Sequence, residues 1–114
     1  MPSVHNQTKN TIIASDAKTA NSFFSQAVGL IGRKPISSRE GLLLPRCRCI
    51  HMCFMRFPID VIFIDRQNMV VGLVKEIKPF HISPYFSKAQ TAIEIAAGRI
   101  VQSKTEIADK ITIS

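Results

Sequence analysis

The feature that most constrains the fold is a succession of short apolar segments, each ended by a proline, a glycine or a polar loop. Ile59–Ile64 and Met69–Lys78 are predicted as strands joined by the hairpin loop Asp65–Asn68, in which Asn68 can take the left-handed conformation. Pro79 ends the second strand. Many short strands predict a mainly β (α+β) fold: a curled antiparallel sheet, sandwich-like or forming a partial barrel.

One segment has a helical period instead. Within Asp16–Ile31 the apolar residues recur at helical spacing, Ser15 or Asp16 can cap the start, and Gly32 and Pro35 follow the end. This predicts one principal helix near the N-terminus. Five further strands, a loop and a short turn complete the expectation: strands at Thr8–Ala14, Gly41–Leu44, Cys49–Phe57, Thr91–Ala96 and Lys110–Ile113, an irregular loop at Phe80–Gln90, and a helical turn within Gly98–Lys104.

Length and composition predict one domain in the cytoplasm. A chain of 114 residues without repeats or linkers favours a single domain over residues 1–114, with residues 1–7 as a flexible N-terminus. The start has no apolar stretch typical of a signal peptide. The run Val61–Ile64 has four apolar residues and none is longer, against the roughly 20 that a membrane span needs. Three cysteines within Cys47–Cys53 favour reduced thiols.

The positive charge is concentrated in the first half. Residues 1–57 carry eight Lys and Arg against Asp16 and Glu40, whereas residues 58–114 carry seven against six acidic residues. A basic half can meet nucleic acid, an anionic surface or an acidic partner. Because the charges are dispersed, a solvated basic face is favoured, and any nucleic-acid binding should be weak and salt-dependent.

Cys47, Cys49, His51 and Cys53 resemble a metal-binding cluster. In a straight strand their side chains share one face, but Cys47 and Cys53 would then be about 20 Å apart. Zinc ligands lie about 2.3 Å from their ion, so a strand cannot wrap all four around it. We therefore predict no metal and no cofactor.

The same residues could supply a cysteine nucleophile activated by His51. Alternate positions on a strand are poor geometry for that pair, although a bulge could bring Cys47 or Cys49 close enough. Cysteine is also among the most buried residue types, so the favoured interpretation is that these side chains fill core space.

A longer motif contains this cluster: Cys47-x-x-x-His51-x-x-x-Met55-Arg-Phe-Pro-Ile-Asp-Val-Ile-Phe-Ile-Asp65. It resembles the DUF192 (UPF0127) family, whose members carry C-x-x-I-H-T-x-F-M-R-x-P-I-D-V-x-F-x-D. Gly29-Leu-Ile31, Glu40–Leu44 and Ile93–Gly98 match further family landmarks in order, so that the resemblance covers about residues 17–113. It implies a compact, mainly β fold with an early helix, and no activity, because the family is one of unknown function.

The sequence departs from the family pattern at several positions. Met52 replaces the usual Thr, Asn68 stands where a turn Gly is usual, and Ala108-Asp109 replaces Gly-Asp. Cys49 and Cys53 are not part of the motif, which weakens the metal interpretation further.

Asp60 is the most informative residue of the motif. By alternation it shares a face with Ile62 and Ile64, and an unpaired buried carboxylate is costly. We therefore expect it to be buried and to accept hydrogen bonds from Arg56, from backbone amides near the Pro58 corner, or from both. The structural interpretation, a stapled corner, is favoured over a ligand pocket lined by His51, Arg56 and Asp60. Glu94 raises the same question.

Two main function hypotheses follow. The favoured one is a small non-catalytic binding module for an unknown ligand or protein partner, with a motif core of Cys47, His51, Met55, Arg56, Asp60 and Glu94. The alternative is an enzyme that uses a pocket of Cys47, His51 and Asp60. Nucleic-acid binding through the basic half is a weaker third hypothesis, because the RNP-type aromatic motifs and the Gly-x-x-Gly loop of common RNA modules are lacking.

Overall fold

The computed structural model describes residues 2–19, 36–50 and 57–114. Within these residues, short strands dominate and the one helix is a single turn near the C-terminus. In chain order the elements are β1 (Val4–Asn6), β2 (Thr11–Ala14), β3 (Asp16–Thr19), β4 (Glu40–Pro45), β5 (Ile59–Ile64), β6 (Val70–Ile77), β7 (Thr91–Ala96), α1 (Arg99–Gln102) and β8 (Ile111–Ile113).

The described strands form two open sheets. The larger has five strands in the order β3-β4-β7-β5-β6, and the smaller has three in the order β2-β1-β8. All pairs are antiparallel except β3 with β4, which run parallel from Asp16 opposite Glu40 to Thr19 opposite Leu43. The larger sheet is therefore mixed.

The two sheets are joined by one apolar core. Every described strand contributes to it, and α1 adds Ile100. Its members from the larger sheet include Leu43, Ile62, Ile64, Ile93 and Ile95; those from the smaller sheet include Val4, Ile13, Ala14 and Ile111. We call the side of the five-stranded sheet that these residues occupy the inner face.

The opposite side, which we call the outer face, carries a second apolar cluster that includes Val61, Phe63 and Ala92. Two irregular segments, 46–50 and 79–90, contribute to this cluster and pair with each other. The amide of Ser83 donates to the Ile50 carbonyl at 2.9 Å, and the amide of Phe86 donates to the Arg48 carbonyl at 2.8 Å. Successive side chains of β5 point alternately to the inner and the outer face, and both faces are covered. All six residues of β5 are therefore buried.

Phe86 fixes the second segment to the outer face. Its ring lies 4.6 Å from that of Phe63, centroid to centroid. It also lies over Gly72 of β6, where an added Cβ would come within 2.5 Å of the ring. Gly72 therefore provides the space into which this aromatic side chain packs.

Much of the secondary structure predicted from the sequence is confirmed. β5 and β7 have the predicted bounds, and β6 lies within Met69–Lys78. Asn68 adopts the left-handed conformation with φ 62°. The segment Phe80–Gln90 contains no helix or strand, and α1 lies within the turn predicted at Gly98–Lys104.

Four expectations need correction. The helix predicted over Asp16–Ile31 is wrong at its start, because Asp16–Thr19 form β3; its residues from 20 onward lie outside the described residues. Residues 1–7, predicted as a flexible N-terminus, contain a strand, because Val4–Asn6 form β1 between β2 and β8. The larger sheet is not purely antiparallel, and of the two predicted arrangements, sandwich-like or partial barrel, the described strands form two separate sheets and no closed barrel.

The strand predicted at Cys49–Phe57 also needs correction at its ends. Cys49, Ile50 and Phe57 are not in a strand, and the intervening residues 51–56 lie outside the described part of the chain. None of the described helices is long and apolar enough to cross a lipid bilayer.

Candidate functional site

Asp60 of β5 is completely buried and points to the inner face. Its Oδ1 accepts the backbone amide of Glu76 at 2.8 Å, and its Oδ2 accepts the amides of Gly98 at 3.1 Å and Ile100 at 2.9 Å. The first amides of a helix have no acceptor within the helix, so the Asp60 carboxylate supplies the acceptor that α1 lacks. Asp60 therefore ties β5, β6 and the start of α1 together.

The local backbone is shaped to bring these amides together. The pairing of β5 with β6 shifts register between Ile59 and Val61, and Glu76 takes a φ of 50° opposite this irregularity. Gly98 has a φ of 94°, a conformation that glycine adopts without strain. The donors come from β6 and α1, not from the Pro58 corner where we expected them, and Arg56 lies outside the described residues.

Glu94 of β7 lies on the outer face, opposite Leu42 of β4 and Val61 of β5 in the strand registers. Its side chain is 8% exposed. Burial raises the pKa of Glu94 from 4.5 to about 7. Among the described residues no group donates a hydrogen bond to this carboxylate, so none of them provides the compensation that a buried charge needs.

Cys47 lies close enough to Glu94 for the carboxylate to affect the ionisation of the thiol. Burial, reinforced by the negative charge of Glu94, raises the pKa of the Cys47 thiol to about 11. The thiol donates to the carbonyl of Cys49 at 3.2 Å. Because the thiolate is the reactive form of cysteine, a thiol with this pKa is a poor nucleophile at neutral pH.

The structure separates two of the residues that the enzyme hypothesis places in one pocket. Cys47 lies at the outer face, as Glu94 does. Asp60 faces inward among Ile62, Ile64 and Ile100, so the sheet separates Asp60 from Cys47. His51 and Met55, with Arg56 and Cys53, belong to residues 51–56, outside the described part. The described residues on either side of this segment, Ile50 and Phe57, are both buried in the outer cluster.

The described residues contain no group of three or more His, Cys, Asp or Glu side chains that could hold a metal ion. Cys47 is a free thiol.

A polar cluster that the sequence reasoning missed lies at the opposite end of the inner core. Asp109 accepts hydrogen bonds from the Asn6 side chain at 2.9 Å, from Nζ of Lys9 at 2.8 Å and from the amide of Glu106 at 2.9 Å. Burial alone would raise the pKa of Asp109, but the bonds from Asn6 and Lys9 outweigh it and lower the pKa. The cluster joins the β1–β2 turn to the segment before β8. The family pattern at Ala108-Asp109 was its only sequence signal.

This geometry defines a class of two-sheet, mainly β protein. One face of its larger sheet carries a buried, hydrogen-bonded aspartate, Asp60, and the other face carries a buried glutamate, Glu94. The DUF192 family model, described as "Uncharacterized ACR, COG1430", matches residues 4–113. The chain belongs to this family. A UPF0127 protein of Pyrococcus horikoshii is 35% identical over 109 residues, which cover 93% of this chain and 94% of the relative. A UPF0127 protein of Pyrococcus furiosus is 30% identical over 109 residues, 93% of each chain.

Two solved structures share the fold. A protein of unknown function from Novosphingobium aromaticivorans superposes with a TM-score of 0.82 at 20% identity, covering 97% of this chain and 82% of its own. A protein named a putative transcription regulator, from Sinorhizobium meliloti, superposes with a TM-score of 0.77 at 17% identity, covering 85% and 80%. The resemblance identified from the motif is thus confirmed, and the family is one of unknown function.

Proposed function

We propose that this chain is a small non-catalytic binding module whose ligand lies against the outer face beside Glu94 and Cys47. The observation that carries the proposal is Glu94 itself, a buried carboxyl group without a hydrogen-bond donor among the described residues. Buried polar groups in proteins almost always have hydrogen-bond partners. A ligand that brings a donor to Glu94 would supply such a partner.

The surroundings of Glu94 indicate the chemistry of that ligand. Leu42, Val61 and Ala92 offer apolar contacts around the carboxyl group. With a pKa of about 7, the carboxyl group is partly ionised at neutral pH, and a cationic nitrogen would stabilise the ionised form. The site therefore favours a small, mainly apolar molecule that carries one amino group.

The position of the family motif supports the same face. Residues 51–56, which contain His51, Met55 and Arg56, join two side chains that are buried in the outer cluster, Ile50 and Phe57. The described residues on either side of this segment therefore lie at the face that carries Glu94 and Cys47. Asp60, by contrast, accepts the amides of Glu76, Gly98 and Ile100 and acts as a structural residue in this proposal.

The enzyme alternative loses support from two observations. Asp60 is separated from Cys47 by the sheet, and the raised pKa keeps the Cys47 thiol protonated. An enzyme on the outer face would have to use Cys47 and His51 without Asp60. We retain the cytoplasm as the proposed location, supported by the free thiol of Cys47.

The test compares benzylamine with benzyl alcohol, two probes of similar shape that differ in charge. Each is titrated into ¹⁵N-labelled protein while amide shifts are followed by NMR. We expect benzylamine to shift the amides of β7 and of segment 46–50 at lower concentration than benzyl alcohol. The preference should increase above pH 7, where Glu94 is ionised, and should be lost in Glu94→Gln.

Glu76→Gln is the matched control, because it removes an exposed carboxylate from β6. It should leave the preference for benzylamine unchanged. Equal response to the two probes in the unmodified protein, or a preference that persists in Glu94→Gln, contradicts the proposed site.

A further inference from the structure

The two paired segments that cover the outer face expose an unusual set of side chains to solvent. We call residues 46–50 together with 78–90 the cap. Phe80 is 81% exposed, Ile82 62% and Tyr85 63%. Single exposed apolar residues are ordinary, but three within six residues of one loop mark a surface that is used for contact.

The charge of the cap has one sign. Arg46, Arg48, Lys78 and Lys88 are all exposed. Neither segment contains an Asp or a Glu. Hydrogen bonds between the segments, such as Phe86 to Arg48 and Arg46 to Gln90, hold the basic residues of the first segment beside the apolar residues of the second.

The backbone of the cap is fixed and locally strained. Ser83 is buried and its hydroxyl accepts the amide of Ile50 at 2.8 Å, while Phe86 packs on Phe63. Phe80 has a φ of 66°, which is uncommon for a bulky residue. Strain of this kind persists where the surroundings impose it and is concentrated at functional positions. Because the Phe80 side chain is largely in solvent, packing inside the protein does not account for its placement.

We propose that the cap docks this protein on an anionic membrane surface. Aromatic and aliphatic side chains enter the boundary between headgroups and acyl chains, and Lys and Arg contact anionic headgroups. A second copy of the chain fits poorly, since two caps with this charge repel each other. Base stacking by nucleic acid would use Phe80 and Tyr85 but gives Ile82 no role. This inference is independent of the ligand site at Glu94.

The sequence supplies a built-in reporter, because the chain has no Trp and Tyr85 is its one Tyr. Tyr85→Trp therefore carries a single tryptophan in the cap. It is mixed with vesicles of pure phosphatidylcholine, or of equimolar phosphatidylcholine and phosphatidylglycerol, and followed by emission and co-sedimentation. We expect a blue shift and sedimentation with the anionic vesicles, at least about tenfold tighter than with the neutral ones at low salt.

Two variants locate the surface. In the Tyr85→Trp background, Arg46→Gln with Lys88→Gln should weaken sedimentation by about tenfold or more, since each basic residue near an anionic surface contributes about 1 kcal/mol. Phe80→Ser with Ile82→Ser should weaken sedimentation and remove the blue shift. The matched controls Lys18→Gln with Lys104→Gln, and Ile12→Ser with Val101→Ser, change exposed residues outside the cap and should leave both readouts unchanged.

Three results overturn the proposal: no sedimentation with anionic vesicles, equal sedimentation with neutral ones, or equal loss in the control variants. Binding of a single-stranded oligothymidylate without binding of vesicles would assign the cap to nucleic acid instead. Circular dichroism of each variant establishes that it is folded, which is expected because all the substituted residues are exposed or lie on irregular segments.

Discussion

The inner and outer faces of the five-stranded sheet each bury one carboxylate, and the two are treated in opposite ways. Asp60 and Glu94 lie on neighbouring strands, since Val61 pairs with Glu94 and Asp60 pairs with Ile95. Asp60 receives three backbone amides from β6 and α1. Glu94 receives no hydrogen bond from the described residues and has a raised pKa.

This difference separates a structural carboxylate from a candidate binding group. Asp60 connects β5 to β6 and to the start of α1, and without its carboxylate the three amides would be buried without an acceptor. Glu94 connects nothing among the described residues and destabilises the fold when it ionises.

The largest expected effect comes from removing the carboxylate of Asp60, which accepts three backbone amides. Asp60→Ala should lower the free energy of unfolding by about 3–5 kcal/mol, because three amides lose their acceptor inside the protein. Asp60→Asn should cost less, since one oxygen remains. Urea denaturation followed by circular dichroism measures both. If Asp60→Ala leaves the urea midpoint unchanged, Asp60 does not stabilise the fold and becomes a candidate ligand-binding residue again.

The second effect concerns Glu94 and has the opposite sign. The pKa of Glu94 is about 7 in the folded protein and near 4.5 when unfolded, so the protonated form stabilises the fold. This contribution is fully present below pH 4.5 and is lost as pH rises through 7, a change of about 3 kcal/mol. Glu94→Gln should therefore make the unfolding free energy less dependent on pH across this window.

The contrast with Asp109 provides the control for that measurement. Its pKa is lowered in the folded protein, so its stabilising contribution is present above its ordinary value of 3.8 and lost on acidification. Asp109→Asn should alter the acid limb of the profile and leave the change between pH 4.5 and 7 in place. If Glu94→Gln leaves that change in place as well, burial of Glu94 is not its source.

A smaller effect tests how the outer face is covered. Gly72→Ala places a Cβ within 2.5 Å of the Phe86 ring and forces the ring to move. We expect a loss of about 1–3 kcal/mol, as for other overpacked positions. Combining Gly72→Ala with Phe86→Leu should recover part of the loss. Purely additive losses in the double variant would show that the two residues are not coupled.

The smallest effect uses a partly exposed carboxylate, that of Asp65, as the reference for Asp60. Oδ1 of Asp65 accepts the amides of Gln67 and Met69, each at 2.9 Å, in the β5–β6 turn. Solvent can replace these bonds, so Asp65→Ala should cost only about 0.5–1.5 kcal/mol. A cost as large as that of Asp60→Ala would mean that burial does not distinguish the two aspartates.

The sequence was sufficient where local signals dominate. The hairpin at Asp65–Asn68 follows from turn chemistry, and the family's glycine preference at positions 68 and 108 is explained by positive φ values of 62° and 74° at Asn68 and Ala108. The sequence was insufficient where pairing partners are distant. β1 has few apolar residues and is a strand because β2 and β8 flank it, and β3 begins inside a helical pattern because β4 pairs with it.

The candidate site was predictable only in its members. The motif identified Cys47, Asp60 and Glu94, and alternation placed Asp60 on the face of Ile62 and Ile64, as the structure shows. Cys47 lies on the other face because the irregular segment 46–50 packs there. An irregular segment has no hydrophobic periodicity, so the sequence pattern could not predict this position. The donors to Asp60 could not be predicted either, because they are backbone amides, which nearly every residue type has.

The position of β1 between β2 and β8 has a consequence for synthesis of the chain. β2 follows β1 almost immediately, but β8 lies more than a hundred residues downstream. Until Ile111–Ile113 leave the ribosome, one edge of Val4–Asn6 has no partner and is open to pairing with other chains. The smaller sheet therefore cannot be completed until β8 has been synthesised, and loss of β8 would expose a β edge on β1.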